Sequence, residues 1–219
     1  MLENAQKAVS LDESNANAYS VLEFYYRRMG MLDKSLAAGK KAIALAPNGA
    51  DANALHSFTL LYLCRNEEAF ATINKAIRLN PKTPMYYFLV QGAACENLGQ
   101  YEKAIAAQKK ALLLNPNYLH SLFRLGRAYR TVGQYEEAIA AFKKAIHLNP
   151  NYLHAHIGLA ASYSLAGKEE KAHAEAKEVL RINPKFSVDG LFAKNLPFKC
   201  YEGDQKDVYV KALRKAGLK

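Results

Sequence analysis

The sequence predicts an all-α fold built as an array of paired helices, and three observations carry that prediction. The heptapeptide LNPNYLH occurs at Leu114–His120 and again at Leu148–His154, 34 residues on. The tetrapeptide GQYE occurs at Gly99–Glu102 and Gly133–Glu136 with the same offset. The prolines Pro47, Pro81, Pro116, Pro150 and Pro184 follow one another at intervals of 34, 35, 34 and 34 residues. A fixed period of this length marks stacked supersecondary units, each unable to bury its apolar face alone. Ala, Leu, Lys and Glu dominate the composition, which favours helix within each period.

The elements follow in order. Residues 1–13 read as a partial repeat, because Ala5, Ala8, Val9 and Leu11 align with the second helix of a unit whose first helix is missing. That start is expected to be a cut through a longer protein. Five repeats span 14–184. The first, 14–47, is placed by Tyr19, Leu22, Tyr26, Gly30 and Ala42. The second, 48–81, is degenerate: His56, Ser57 and Cys64 stand where the fourth unit carries Leu125, Gly126 and Gly133. The third, 82–116, has an extra residue around Lys82–Met85, then Gly92, Gly99, Tyr101 and Ala104.

The fourth repeat shows the logic most clearly. Leu122, Leu125, Ala128 and Tyr129 recur at helical spacing as one stripe, and Gly133 ends that helix. Tyr135, Ala138, Ile139, Phe142, Ala145 and Ile146 make a second stripe, which Asn149-Pro150 stops. Gly126 and Ala138 let the paired helices approach, and Tyr129 and Ala138 are expected to be buried. The fifth repeat, 151–184, keeps Leu159, Tyr163, Gly167, Ala172 and Pro184. The segment 185–219 leaves the pattern and is expected to cap the array. Ser187 caps a short helix ending before Pro197. Asp204 caps a last helix, with Val208, Leu213 and Ala216 on one face and Gly217 as its stop.

Leu125, Gly126, Tyr129, Gly133, Tyr135, Ala138, Phe142, Ala145 and Pro150 together resemble the tetratricopeptide repeat. The resemblance implies a right-handed superhelical solenoid of antiparallel helix pairs with a C-terminal helical cap. It also implies that the first helices of successive repeats line a concave groove. The tail, NPKFSVDGLFAKNLPFK followed by LRKAGLK, is similar to the C-terminal end of tetratricopeptide regions in bacterial class III adenylate/guanylate cyclases and related signalling proteins. The residues carrying that likeness are Asn183, Pro184, Phe186, Ser187, Leu196, Pro197, Leu213, Arg214, Lys215 and Gly217.

Motifs for chemistry are missing from the sequence. It holds no P-loop glycine run, no HExxH and no GxSxG, so no catalytic residue, cofactor or metal is expected. The six histidines are dispersed, and Cys64, Cys95 and Cys200 show no CxxC spacing. That cysteine usage fits a reducing cytoplasm, and no run is long and apolar enough to span a bilayer. The net charge of +10 invites a nucleic-acid reading. The groove positions vary from repeat to repeat, unlike a base-reading code, so nucleic acid is the alternative rather than the leading partner.

By register the groove-facing residues are Phe24, Arg27, Phe58, Tyr86 and Leu89 in the first three repeats. In the last two they are His120, Phe123, Arg127, Arg130, His154 and Ile157. Aromatic side chains interleaved with arginines suit a peptide or protein surface, and Arg124, Arg127 and Arg130 at successive i, i+3 steps favour an acidic one. The expected function is a non-catalytic scaffold whose partner is a peptide, a protein or a preceding domain of the same polypeptide. A homodimer through the N-terminal edge is a further expectation. Lys40-Lys41, Lys109-Lys110 and Lys143-Lys144 fall at one register of the second helices, on the opposite face.

Overall fold

A computed structural model of the chain describes residues 2–193 and 204–219. The described residues form thirteen helices. α1 is Leu2–Leu11. The repeat pairs are α2 (Ala16–Arg28) with α3 (Leu32–Leu45), α4 (Ala50–Tyr62) with α5 (Asn66–Leu79), α6 (Met85–Asn97) followed by α7 (Tyr101–Leu114), α8 (Leu119–Thr131) with α9 (Tyr135–Leu148), and α10 (Leu153–Leu165) with α11 (Glu169–Ile182). α12 (Val188–Ala193) and α13 (Asp204–Lys215) end the chain. The helices fall into two compact units, Met1–Leu98 and Gly99–Lys219.

The turns explain the period. Gly30, Gly99, Gly133 and Gly167 all have positive φ, between 71° and 79°. The bonds Gln134 N–H to Tyr129 O and Gly133 N–H to Arg130 O close the end of α8, and the same pair of bonds closes α2 and α10. In the second repeat Cys64 takes this place with φ +56°, and Arg65 N–H still reaches Leu60 O. The other turn is set by the residue before proline. The side chains of Asn80, Asn115, Asn149 and Asn183 each accept the backbone N–H two residues on, at 3.1–3.2 Å. Asp12 does the same to Ser14 N–H at 2.8 Å, one period ahead of the proline turns.

In the first unit α2 packs on α3, α3 on α4, α4 on α5 and α5 on α6, while α2, α4 and α6 touch along an inner face. α1 lays Leu2, Ala5 and Val9 on Leu22, Ala38, Tyr19 and Tyr26. In the second unit α7 to α11 pack in the same sequence, and α8 meets α10 on the inner face. Phe142 is wholly buried there, its ring against Gly126 and Gly158; a Cβ at either glycine would come within 2.9 Å or 2.5 Å of it. Ala138 and Ala145 are fully buried. Tyr129, expected in the core, is only half-buried, and its ring carries the Lys109 ammonium at 5.6 Å.

Ser187 accepts the Gly190 N–H at 3.0 Å and caps α12 as expected. The expected stop at Pro197 lies outside the described residues, as does the side chain of Asp204. α13 and the turn after it bury Ala212, Leu213, Ala216 and Leu218, with Tyr209 and Val210 half-buried beside them. Val208 was expected on this face but is 51% exposed. The buried spacing 209, 212, 213, 216 defines the stripe, and 208 lies about 90° from its centre, at the margin.

Candidate functional site

The inner face of the first unit is used mainly to hold itself together. Arg27, expected to face the groove, is 8% exposed. Its guanidinium lies over the rings of Phe58, Phe24 and Tyr62 at 5.0, 5.6 and 5.8 Å and donates to Leu55 O at 3.2 Å. Desolvation pulls its pKa below the usual arginine value. Phe24 and Phe58 are half-buried as two walls of this cage. Tyr86 and Tyr87 both donate to Asp51 Oδ1, the second at 2.8 Å. Burial, reinforced by the carboxylate, raises both phenols, Tyr87 to about 12. Leu89 is half-buried on the same helix.

The second unit offers a different surface. Neither α8 nor α10 contains an Asp or Glu, while α8 carries His120, Arg124, Arg127 and Arg130 and α10 carries His154 and His156. Tyr152, at the start of α10, is the hub. Its ring meets Phe123 at 5.8 Å, His154 at 6.0 Å and His120 at 6.4 Å between centroids. Phe123 touches His154 at 6.0 Å, and the Arg127 guanidinium lies 5.9 Å from its centroid. Tyr118 meets His120 at 5.8 Å with the rings tilted. His120 and His154 are exposed; Phe123, Arg124, Arg127 and Tyr152 are half-buried. Partial desolvation, then the nearby His120, hold the His154 imidazole below its ordinary pKa. Desolvation raises Tyr152, against the pull of Arg124 and Arg127.

The structure therefore brings His120, Phe123, Arg127 and His154 together. It removes Arg130 and Ile157 from the open face, where the register had placed them. Ile157 is 1% exposed and packs with Ala161, Val179, Leu213 and Leu218 beneath α13. Arg130 is 8% exposed, with its guanidinium 3.8 Å from the centre of the Tyr209 ring. The tail was read as an edge cap, yet it also covers the inner face of the last repeat. Tyr118 and Tyr152 were not among the expected site residues, whereas Arg124, with Arg127 and Arg130, was expected to favour an acidic partner. The signal for the two tyrosines was available, since the repeated LNPNYLH delivers one tyrosine and one histidine per period to this place. Among the described residues no group of three His, Cys, Asp or Glu is arranged to hold a metal, and no helix is long and apolar enough to cross a membrane.

Residues 86–118 and 121–152 match the profile of the tetratricopeptide repeat. Among solved structures, YrrB, described as a tetratricopeptide protein with an unusual peptide-binding site, is 23% identical, with a TM-score of 0.70, over 90% of this chain and 100% of its own. PilW, described as a widely conserved type IV pilus biogenesis factor, is 22% identical with a TM-score of 0.78, over 83% of this chain and 84% of its own. MamA from Desulfovibrio magneticus RS-1 is 21% identical with a TM-score of 0.70, over 77% and 95%. At these identities the likeness establishes the fold. No curated protein sequence matches the chain significantly.

Proposed function

We propose that this chain, an all-α tetratricopeptide-type array of antiparallel helix pairs, is a non-catalytic scaffold that holds a carboxylate-bearing peptide or protein segment on the inner face of α8 and α10. The observation that carries the reading is the Tyr118–His120–Phe123–Tyr152–His154 cluster beside Arg124 and Arg127, on two helices without a single acidic residue. Rings supply rigid apolar contact at low entropic cost, and guanidinium groups add charge-assisted bonds to carboxylates. Arg27 and Arg130 take no part, because each is buried, at 8% exposure, while Arg127 is only half-buried. Phe24, Phe58, Tyr86 and Leu89 form the corresponding face of the first unit, which carries Asp51 and suits an apolar segment.

The tail's likeness to bacterial cyclase arrays supports a cytoplasmic signalling setting, in which the partner is another protein or a preceding domain of the same polypeptide. Two of the ten residues behind that likeness, Leu196 and Pro197, lie outside the described residues. A dimer through the N-terminal edge has less support, since Val9 packs against repeat one.

The experiment is fluorescence anisotropy with a labelled peptide of alternating Glu and Leu and its Gln–Leu counterpart. The acidic peptide should bind more tightly, and Phe123→Ala combined with Arg127→Glu should weaken it by about tenfold or more. Equal binding of the two peptides, or an unchanged affinity in the variant, would refute the assignment. A random single-stranded oligonucleotide that binds more tightly than the acidic peptide, with a steep salt slope, would favour nucleic acid instead.

A further inference from the structure

We infer that the second unit carries a docking surface for an anionic lipid bilayer on the edge formed by the C-terminal turns of α7, α9 and α11, independent of the inner face. On α7, Lys109 and Lys110 are exposed, and one turn further on Leu113 and Leu114 are 82% and 56% exposed. On α9 the equivalent positions are exposed Lys143 and Lys144, followed by His147 and Leu148. On α11, exposed Lys177 is followed by Leu180, 41% exposed, and Arg181. Residues four apart on a helix are neighbours, so each lysine stands beside the next exposed side chain of its own helix.

Complementing the helix dipole accounts for cations at C-terminal turns. It does not account for Leu113, whose equivalents in the other repeats are Ala44, Arg78, His147 and Arg181. Five of the seven acids of these helices, Glu102, Glu136, Glu137, Glu169 and Glu170, sit in the first turns, and Glu175 is paired with His156 at 2.7 Å. A helix of this length spans about 20 Å, well beyond the screening length of about 8 Å at physiological salt. Glu178 is the acid within the edge, and it is paired with Arg181 at 2.7 Å.

Cations and projecting leucines on one edge match the two layers of a membrane surface: anionic headgroups for the lysines, the acyl boundary for the leucines. The leucines project from helix ends and do not line a groove. A fluid headgroup layer receives such projections without a preformed pocket. A polyanion such as RNA would use the lysines and leave the leucines in water.

The test is co-sedimentation of the whole chain with phosphatidylcholine vesicles, with and without about 30% phosphatidylglycerol, at about 0.15 M salt. The wild type should partition onto the anionic vesicles and not the neutral ones. Lys109→Glu with Lys110→Glu should reduce partitioning about tenfold, and Leu113→Ser with Leu114→Ser about threefold or more. All four side chains are exposed, and circular dichroism verifies that the variants keep their helix content. Lys7→Glu with Lys34→Glu removes the same charge from the first unit and should change partitioning little. No partitioning, equal losses from the two charge reversals, or indifference to the leucine variant would each overturn the inference. So would a random oligonucleotide that binds this edge in a lysine-dependent, leucine-independent way.

Discussion

At Cys64 a side chain with a Cβ occupies a backbone conformation that the equivalent turns give to glycine. Left-handed φ costs an ordinary residue roughly 1–2 kcal/mol. Cys64→Gly should therefore raise the stability of the chain by up to about 1 kcal/mol under reducing conditions, after the entropy of glycine is offset. Denaturant unfolding checks this, and a lower midpoint would contradict it. His156 makes a second prediction. Its Nδ1 lies 2.7 Å from the Glu175 carboxylate and its Nε2 lies 3.0 Å from Pro150 O. Both partners only accept, so the ring is satisfied when both nitrogens carry protons. The bond to Glu175, aided by Pro150 O, raises the pKa. A raised folded-state pKa stabilises fully below the ordinary histidine value of about 6.5 and loses its contribution as pH climbs through the raised one. The thermal-midpoint gap between wild type and His156→Gln should be widest at mildly acidic pH and close above neutrality; a gap that widens with pH would sink the idea. The odd residue at Cys64 was visible in the sequence because a period makes every exception visible. The burial of Arg27 was not, since three rings from α2 and α4 enclose it and a register shows only which side of a helix a residue is on.

Between elements, the first and fourth repeats solve one packing problem in opposite ways. In the fourth, Gly126 on the first helix makes room for Phe142 on the second. One hundred and three residues earlier the pair is Glu23 and Gly39, and the large side chain has changed sides. Glu23 is fully buried and bonds His56 Nδ1 at 2.8 Å, while a Cβ at Gly39 would fall 2.2 Å from both the carboxylate and the imidazole. Gly39→Ala should cost about 1–3 kcal/mol by overpacking, and less in a Glu23→Ala background. Strict additivity of the two substitutions in a double-mutant cycle would contradict the contact. The helix pairs were readable from apolar spacing and turn residues. This exchange was not, because Glu23, Gly39 and His56 each look like a lapse until the three are in one place. On α13 Leu213 and Ala216 were expected in the core, where they are, and Val208 was misplaced. Leu213→Ala should destabilise by about 2–5 kcal/mol, as expected for a fully buried leucine. Val208→Ala, at the surface, should stay within about 0.5 kcal/mol. Comparable losses from the two would put the stripe back on Val208.

Over the whole chain, the helices differ in how charge is distributed along them. The second helices of the repeats carry acids in their first turns and lysines towards their ends, an arrangement that stabilises each helix by itself. α8 and α10 have no such balance: their cations stand among aromatic rings without an acid on either helix. The array was legible in the sequence because period, proline and glycine are local signals. The site was legible in part. Register found His120, Phe123, Arg127 and His154, but it could not foresee that α13 returns over Ile157 and Arg130, since 185–219 follows no repeat. The measurement that tests the central claim most directly is backbone amide shift mapping of the isotope-labelled chain, titrated with the alternating Glu–Leu peptide. The account predicts saturable shifts centred on His120, Phe123, Arg127, Tyr152 and His154. Shifts confined to the first unit or to the ends of α7, α9 and α11, with this cluster unmoved, would contradict it.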